Sequence, residues 1–370
     1  MNFYPKFFFL TCGAFIVIIF MITQSKDEEV GEAETIDPLV KHILLHEVPE
    51  WMTKVPLDRP KGKCIVTHNP KYLPKIEMFD AVLFSGQNHR RVGWSFPKVR
   101  SPHQFYVFVE LECPLVSFHK FSIDPRKELY NLTMTYRRDS DIYWPYGFIS
   151  DRNLTYLSAA DEPNWRKPVF DDQIDPELKE NIRRKNKTAA WFVSNCNAES
   201  NRTDLNRIMQ TIIDVDVYGK CGSLECPRDK KDNCYRLVEQ HYFFYFSFEN
   251  SLCRDYITEK VFNIMSYDVV PVVYGGANYS QHLPPHSYID ANDFATATDL
   301  AKYLKSLTRN PKEYVKYFWW KKYYKTVVRR VFDNLCDKLY ELQNDKKSIE
   351  NIKSWWETNQ CKNSRKIRFI

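Results

Sequence analysis

The residue types best suited to chemistry gather in one stretch, Glu249 to Lys260. Lys260 is a point charge for a diphosphate. Glu259 beside it can accept hydrogen bonds from sugar hydroxyls, and Tyr245 and Tyr256 carry rings able to cover a base or a sugar. A helix beginning near Thr258 would add free N–H groups and a positive dipole end, which favour phosphate. The plain alternative is a solvated helix start behind a core strand. A second group is Glu110-Leu111-Glu112-Cys113-Pro114. A carboxylate at a strand's carboxyl end, fixed by a proline, is well placed as a general base, although an acidic pair in a surface turn has the same pattern. The third is Arg202, at the end of Ser194 to Arg202: near a helix start it can clamp a phosphate bidentately, or it is an ordinary helix-surface arginine.

These groups need a frame, and the patterning supplies one. Phe243 to Phe248 is an aromatic run of the kind that fits a buried strand. Val261, Phe262, Ile264 and Met265 give the following helix an apolar face, and a second apolar run, Val269 to Tyr274, ends at Gly275-Gly276. Strand, polar turn, helix and strand make the βαβ unit of an open parallel sheet. Ligands of such sheets bind at the carboxyl ends of the strands, where Glu249 to Lys260 would lie. Strands are also expected at Cys64 to Thr67, Ala81 to Phe84, Phe105 to Val109, Thr188 to Ser194 and Ile212 to Gly219. The charged, aromatic segment Asn131 to Gly147 suits a carbohydrate groove or a solvated loop. Lys179 to Lys187 reads as a helical interdomain linker, and Asp299 to Leu307 as a helix. Lys312 to Arg330 reads as a long basic and aromatic helical stretch, and Cys336 and Cys361 bracket a last helix expected to fold back over the first domain.

A length of 370 residues exceeds one typical core, so two domains are the default. The net charge of +6 is small for that length; it argues against nucleic acid as a partner while suiting an anionic small ligand. Neither GxGxxG nor a Walker lysine loop is present. Phe7 to Ile22 is apolar, preceded by Lys6 and followed by Lys26-Asp27-Glu28-Glu29. It is short for a span, which needs about 17–25 residues, but short spans suit thinner early-secretory bilayers. Lys6 favours a cytoplasmic N-terminus, and an uncleaved signal-anchor is preferred to a cleaved signal peptide because no small-x-small site follows closely. Sequons at Asn131, Asn153, Asn186, Asn201 and Asn278 agree with a lumenal body. Of the 10 cysteines, Cys12 lies in the apolar run, so an odd number remains for the body and at least one has no intramolecular partner. Cys221, Cys226 and Cys234 fit no standard zinc spacing, which leaves disulfides as the better reading.

Four segments together resemble the α1,3-fucosyltransferases, the inverting, GDP-fucose-using Golgi enzymes of glycosyltransferase family 10. They are Phe246 to Lys260; Tyr136-Arg-Arg-Asp-Ser-Asp-Ile142 with Pro145-Tyr146-Gly147; Phe192-Val-Ser-Asn-x-Asn-Ala198; and Asp216-Val-Tyr-Gly-Lys-Cys-Gly222. The likeness runs in order from about residue 60 to 340. It implies an α/β fold of GT-B type, with two Rossmann-like domains facing a cleft behind a transmembrane signal-anchor and stem. From the residues themselves, the apolar run gives a cytoplasmic tail at 1–6 and the anchor at 7–23, and the polar, acidic segment with scattered prolines after it reads as a stem at 24–60. An acceptor-binding domain follows at 61–180, a GDP-fucose-binding domain at 186–335 and a helical tail at 336–370.

By position the resemblance implies Glu112 as the general base and Arg202, Tyr245, Asn250, Tyr256, Glu259 and Lys260 as donor contacts, with Tyr146 on the acceptor side. It implies no cofactor and no metal; the partners are GDP-fucose, a GlcNAc-containing glycan and the Golgi membrane. Two departures stand out. Glu110 accompanies Glu112, leaving the choice of base open between them, and Cys113 replaces a common serine; Tyr143-Trp144 is also bulky for the family. Glycans are expected on Asn131, Asn153, Asn186 and Asn278, but not on Asn201, where one would crowd Arg202. The rival readings are a metal-dependent GT-A transferase using Asp214-Val-Asp216 and a membrane-tethered lectin of the same fold.

Overall fold

The computed structural model describes residues 37, 39–49, 52, 57, 63–87, 96–117, 129–153, 163–170, 175–227, 230–327, 331–342, 345–361, 367 and 368. The tail and anchor expected at 1–23 lie outside them, and among the described residues no helix is long and apolar enough to cross a membrane. Leu39–Ile370 forms one compact unit.

Strands β1 (Lys41–Leu45), β2 (Cys64–Thr67), β3 (Ala81–Ser85), β4 (Phe105–Glu110), β5 (Leu132–Thr135) and β6 (Ile142–Tyr143) form the first sheet, in the order β2-β1-β3-β4-β5-β6. Every pair is parallel. β4 is buried at all six positions, which explains the apolar run from Phe105 to Val109 before Glu110: a strand covered on both faces has no polar side to show. β1 corrects the expected stem at 24–60. Ile43, Leu44 and Leu45 are fully buried in the sheet, so the folded body starts some twenty residues earlier than the boundary at 61. The sequence hid this because β1 is short and lies among prolines and charges. A short helix, α1 (Pro114–Ser117), follows β4, and β7 (Phe148–Asp151) leaves the end of β6.

Helix α2 (Pro176–Arg184) starts where Asp175 accepts a hydrogen bond from the Glu177 N–H, with proline at its first turn. The second sheet comprises β8 (Lys187–Phe192), β9 (Val215–Tyr218), β10 (Tyr242–Phe248), β11 (Val270–Tyr274) and β12 (Ile289–Asp290), in the order β12-β11-β10-β8-β9 and again wholly parallel. Its connections carry α3 (Arg202–Met209), α4 (Lys231–His241) and α5 (Glu259–Ile264), and α6 (Ala297–Thr308) follows β12. On one face Leu205 and Met209 of α3 and Leu300 and Leu304 of α6 pack against Phe244, Phe246 and Phe248. On the other, Tyr235 and Val238 of α4 and Ile264 of α5 pack against Tyr242 and Tyr245. Counted from its own first strand, each sheet has the order 2-1-3-4-5 through its first five strands. The two switch points are therefore β1/β3 and β8/β10, where a doubly wound sheet opens a crevice at its carboxyl edge.

The expected long helix at Lys312–Arg330 is instead α7 (Pro311–Val315), a 3₁₀ turn at Lys316–Lys322 and a strand, β13 (Tyr324–Val327). β13 pairs antiparallel with β7, Thr326 facing Ile149; the exposed strand edge overrode the local helical preference. The chain then returns to the first sheet. Phe332, Leu335 and Leu339 of α8 (Val331–Leu342) share a core with Ile43, Ala81 and Val107. In α9 (Ile352–Glu357), Trp356 packs edge-on to Phe108 and Tyr136, and its indole N–H donates to the Ser117 hydroxyl at 2.9 Å. Disulfides Cys64–Cys336 and Cys253–Cys361 fasten this return, and Cys196–Cys221 and Cys226–Cys234 close loops of the second sheet. The pairs bear out the disulfide reading over zinc, and Cys113 is the free thiol among the described residues.

Because Trp356 is wholly buried, Trp356→Ala should cost about 3–5 kcal/mol of stability. Urea unfolding would read this loss. A variant as stable as the parent would mean that the C-terminal helix is not part of the first sheet's core.

Candidate functional site

The acid-bearing turn sits at the carboxyl end of β4. Glu110 is fully buried, and its Oε1 accepts from the backbone N–H groups of Leu111 (3.0 Å) and Glu112 (2.9 Å). Its other oxygen lies against Gly86, where a Cβ would come within 2.6 Å. Glu110 thus holds the turn together from inside. Glu112 is half-buried and points across to the second sheet's loops, its Oε2 accepting from the Tyr256 hydroxyl at 2.9 Å. The Tyr146 hydroxyl donates to the Leu111 carbonyl at 2.7 Å and so braces the same turn. Burial pushes the Cys113 thiol up to about 11, with a contact to the Ser251 hydroxyl opposing that rise.

Across from it lies the segment after β10. Glu249 is 1% exposed; one of its oxygens accepts from the Thr258 N–H and hydroxyl, both at 2.9 Å, and the other from the Lys260 ammonium at 3.0 Å. Burial raises the Glu249 pKa, and Lys260 partly offsets it. For Lys260, burial works to lower the pKa, but Glu249 and Glu259 outweigh it and the net shift is upward, so the cation is kept. Lys260 also donates to the Thr258 hydroxyl at 2.7 Å, and Glu259 lies 3.8 Å away. The expected helix start is a correction of scale: α5 has only six residues, so the side-chain ammonium, rather than a long helix dipole, is the positive group here.

The loop after β8 is stitched to the same place. Ser200 donates its hydroxyl to the Glu249 carbonyl (2.7 Å) and its N–H to the Asn250 carbonyl (3.0 Å), and the Tyr274 hydroxyl donates to the Ser200 carbonyl (3.1 Å). These bonds set Arg202 beside the end of β10. Its guanidinium donates to the carbonyls of Phe248 (2.7 Å) and Asn195 (3.1 Å), lies 5.7 Å from the Trp191 ring centre, and has Nε without a hydrogen-bond partner. Arg202 is 4% exposed, which rules out the ordinary surface arginine. Asn250 is half-buried with its Oδ1 unpartnered, and Glu259 is half-exposed. The carboxyl edge around the β8/β10 switch point therefore collects Arg202, Asn250, Glu259 and Lys260.

Two expectations fail on geometry. Tyr245 is 2% exposed, 5.2 Å from Phe192 and 5.8 Å from Tyr235. Strand alternation points it into the face covered by α4, where it is core and not a platform for a base. Asn131 is buried, donating its amide to the Lys347 carbonyl at 3.1 Å and accepting from the Tyr106 N–H at 2.9 Å, so its nitrogen is not open to a glycan. Asn153, Asn186, Asn201 and Asn278 are exposed. Of the Asp214-Val-Asp216 pair, Asp216 is taken up by Lys187 (2.6 Å) and the Tyr242 hydroxyl (2.5 Å).

Glu249 is absent from the residues expected at the site, although a carboxylate directly after a strand that is aromatic at all but Ser247 is a signal for it. The Tyr256 bond to Glu112 left no trace in the sequence. Gly147 had a reason that the sequence withheld: a Cβ there would lie 2.6 Å from Phe262 of α5, so glycine lets the first sheet's segment close on the second's. A separate cavity of about 370 Å³ between α3 and β9, lined by Trp191 and Asn206, shares none of the expected site residues.

Two family models match the chain: "Glycosyltransferase family 10 (fucosyltransferase) C-term" over residues 182–355 and "Fucosyltransferase, N-terminal" over 40–147. The Drosophila melanogaster protein Alpha-(1,3)-fucosyltransferase C is 41% identical over 314 residues, 84% of this chain and 72% of its own. Glycoprotein 3-alpha-L-fucosyltransferase A of the same fly is 33% identical over 253 residues, covering 66% and 46%. Mouse 4-galactosyl-N-acetylglucosaminide 3-alpha-L-fucosyltransferase 9 is 34% identical over 279 residues, covering 73% and 69%. A crystal structure of an alpha1,3-fucosyltransferase with GDP superposes with a TM-score of 0.49 at 14% identity, over 86% of this chain and 94% of that one.

His282 is 1% exposed with Nδ1 3.4 Å from the Tyr143 hydroxyl. Burial, reinforced by Arg138, drives its pKa down to about 3. The unfolded ring takes its proton near ~6.5 and the folded one does not until far lower, so this group's stabilisation is complete above ~6.5 and is lost as the pH falls toward 3. His282→Gln should show a smaller drop in melting temperature between pH 7 and pH 5 than the parent; an equal drop would refute the neutral buried ring. Peptide mapping of the protein expressed through the secretory pathway should find Asn131 unmodified, and a glycan there would contradict its buried amide.

Proposed function

The chain belongs to glycosyltransferase family 10, the fucosyltransferases, and we propose that it transfers L-fucose with inversion from GDP-β-L-fucose to the 3-hydroxyl of a GlcNAc residue. The acceptor is proposed to be an N-glycan or a related glycoconjugate. The observation that carries the reading is the meeting of the two sheets' carboxyl edges: the half-buried Glu112 carboxylate is hydrogen-bonded to the loop that also holds Glu249 and Lys260. The names of the relatives support the α1,3 linkage, since those of Alpha-(1,3)-fucosyltransferase C and of the fly and mouse 3-alpha-L-fucosyltransferases share it.

In the proposed step Glu112 takes the proton of the acceptor 3-hydroxyl as that oxygen bonds to the fucose anomeric carbon. The bond from that carbon to the β-phosphate oxygen breaks on the opposite face, and its electron pair leaves with GDP. Lys260 and Arg202 supply positive charge to the departing diphosphate, so the reaction is proposed to need no cofactor and no divalent metal. Asn250 and Glu259 are assigned to the donor, and Tyr146, with its ring beside the acid-bearing turn, to the acceptor. Glu110 is assigned to the turn rather than to chemistry, because both backbone N–H groups of that turn bond to it. The body is proposed to work in the Golgi lumen on a single-pass type II anchor at residues 7–23, with Asn153, Asn186 and Asn278 available for glycans.

Incubation with GDP-fucose and a panel of defined glycans, read by mass spectrometry, should give products heavier by one deoxyhexose at GlcNAc O3, with full yield in excess EDTA. Glu112→Gln should lower kcat by about 10²–10⁴ while GDP binding, read by calorimetry, stays near the parent value. Lys260→Ala should lower kcat by about 10²–10³ and weaken GDP as well. Loss of activity in EDTA would overturn the metal-free reading. A normal rate for Glu112→Gln would remove the assigned base, and inactivity of Glu110→Gln alone would move it two residues upstream.

A further inference from the structure

We propose that Tyr256 is a positioning residue for the acid: its phenol fixes the Glu112 carboxylate, so the loop that faces the donor also aims the base at the acceptor. The inference rests on Glu112 being the base, and it departs from the donor contact that the family pattern implied for this tyrosine.

The Tyr256 hydroxyl donates to Glu112 Oε2 at 2.9 Å, while the residue itself is 1% exposed. Its ring is held edge-on by Tyr136 at 5.0 Å and Tyr146 at 6.4 Å. Burial raises its pKa well above the usual phenol range, with the nearby acids adding to the effect, so it remains a proton donor to the carboxylate. The loop that presents it is pinned from several sides. Cys253 is bonded to Cys361, and the Arg254 N–H donates to the Gln360 carbonyl at 2.6 Å. Asp255 has φ 58°, and its carboxylate accepts from the Arg138 N–H at 3.2 Å. Beyond Tyr256, the Thr258 N–H is bonded to Glu249. A carboxylate on two rotatable methylenes would otherwise sample several orientations at the mouth of the cleft. Here the Glu110 carboxylate accepts from the Glu112 N–H, Tyr146 fixes the Leu111 carbonyl and Tyr256 fixes Glu112 Oε2. With Oε2 occupied by the phenol, Oε1 is the oxygen that receives the acceptor's proton. The positioned geometry thereby exists only while the donor-side loop is in place.

The test compares Tyr256→Phe, Glu112→Gln and the double variant in the full chain. Phe keeps the ring against Tyr136 and Tyr146 and removes only the hydroxyl. The expected result is a fall in kcat of about 10- to 100-fold, the worth of one hydrogen bond to a charged group, with donor KM, GDP Kd and melting temperature within twofold or two degrees or so of the parent. In the Glu112→Gln background the same change should lower the residual rate no further, since the two act as one unit. A tenfold rise in GDP Kd with kcat intact would restore the donor-contact role and overturn the proposal. Parental kcat and Kd would reduce Tyr256 to packing and overturn it too. If Glu112→Gln itself turns over normally, the base assignment fails; if Glu112→Gln is inactive and Tyr256→Phe is fully active, only the positioning role fails.

Discussion

A charge held inside the protein governs the arrangement of the second sheet's edge. Glu249 ends a strand whose seven residues are all buried, and taking its carboxylate out of water is tolerable only because Thr258 and Lys260 satisfy it at once. Removing one member of such a buried pair typically costs about 3–5 kcal/mol, because the other is left uncompensated. The pair therefore fixes where α5 begins and where the ammonium stands. Ser200 and Tyr274 tie the loop after β8 to the same point, which brings Arg202 in beside it. The positive edge of the crevice is thus built around one negative side chain.

Holding two sheets in register is a separate problem, and the chain solves it by returning. After building the second sheet it sends α8 and α9 back to complete the first, with Trp356 lodged between Phe108 and Tyr136. Cys64–Cys336 spans 272 residues and Cys253–Cys361 spans 108, so both close very long loops, the case in which a cross-link restricts the unfolded chain most. Cys253 lies in the loop of Tyr256, and α9 supports the sheet that carries Glu112. The return segment accordingly joins the two sides of the crevice.

Much of the site was legible because it depends on local order. The aromatic run, the polar turn and the glycine pair marked β10, α5 and β11 to within a residue or two, and the rule that ligands bind at strand carboxyl ends then placed Lys260. Arg202 could be named but not placed, since its value depends on burial against Trp191 and on carbonyls from another strand. Tyr245 misled for the same reason: alternation along a central strand is plain in sequence, but which face is covered by a helix is not.

By itself the sequence determined the family, the α/β class, the parallel units and the paired cysteine chemistry, since these rest on periodicity, composition and contiguous motifs. Only the tertiary structure decided which of two neighbouring carboxylates was folded into its own turn. It alone decided that β1 belongs to the first sheet, that Asn131 is buried, and that Tyr256 reaches Glu112 from 144 residues away. Those outcomes come from packing between segments remote in sequence, where desolvation and hydrogen-bond satisfaction are settled only once the partners have met.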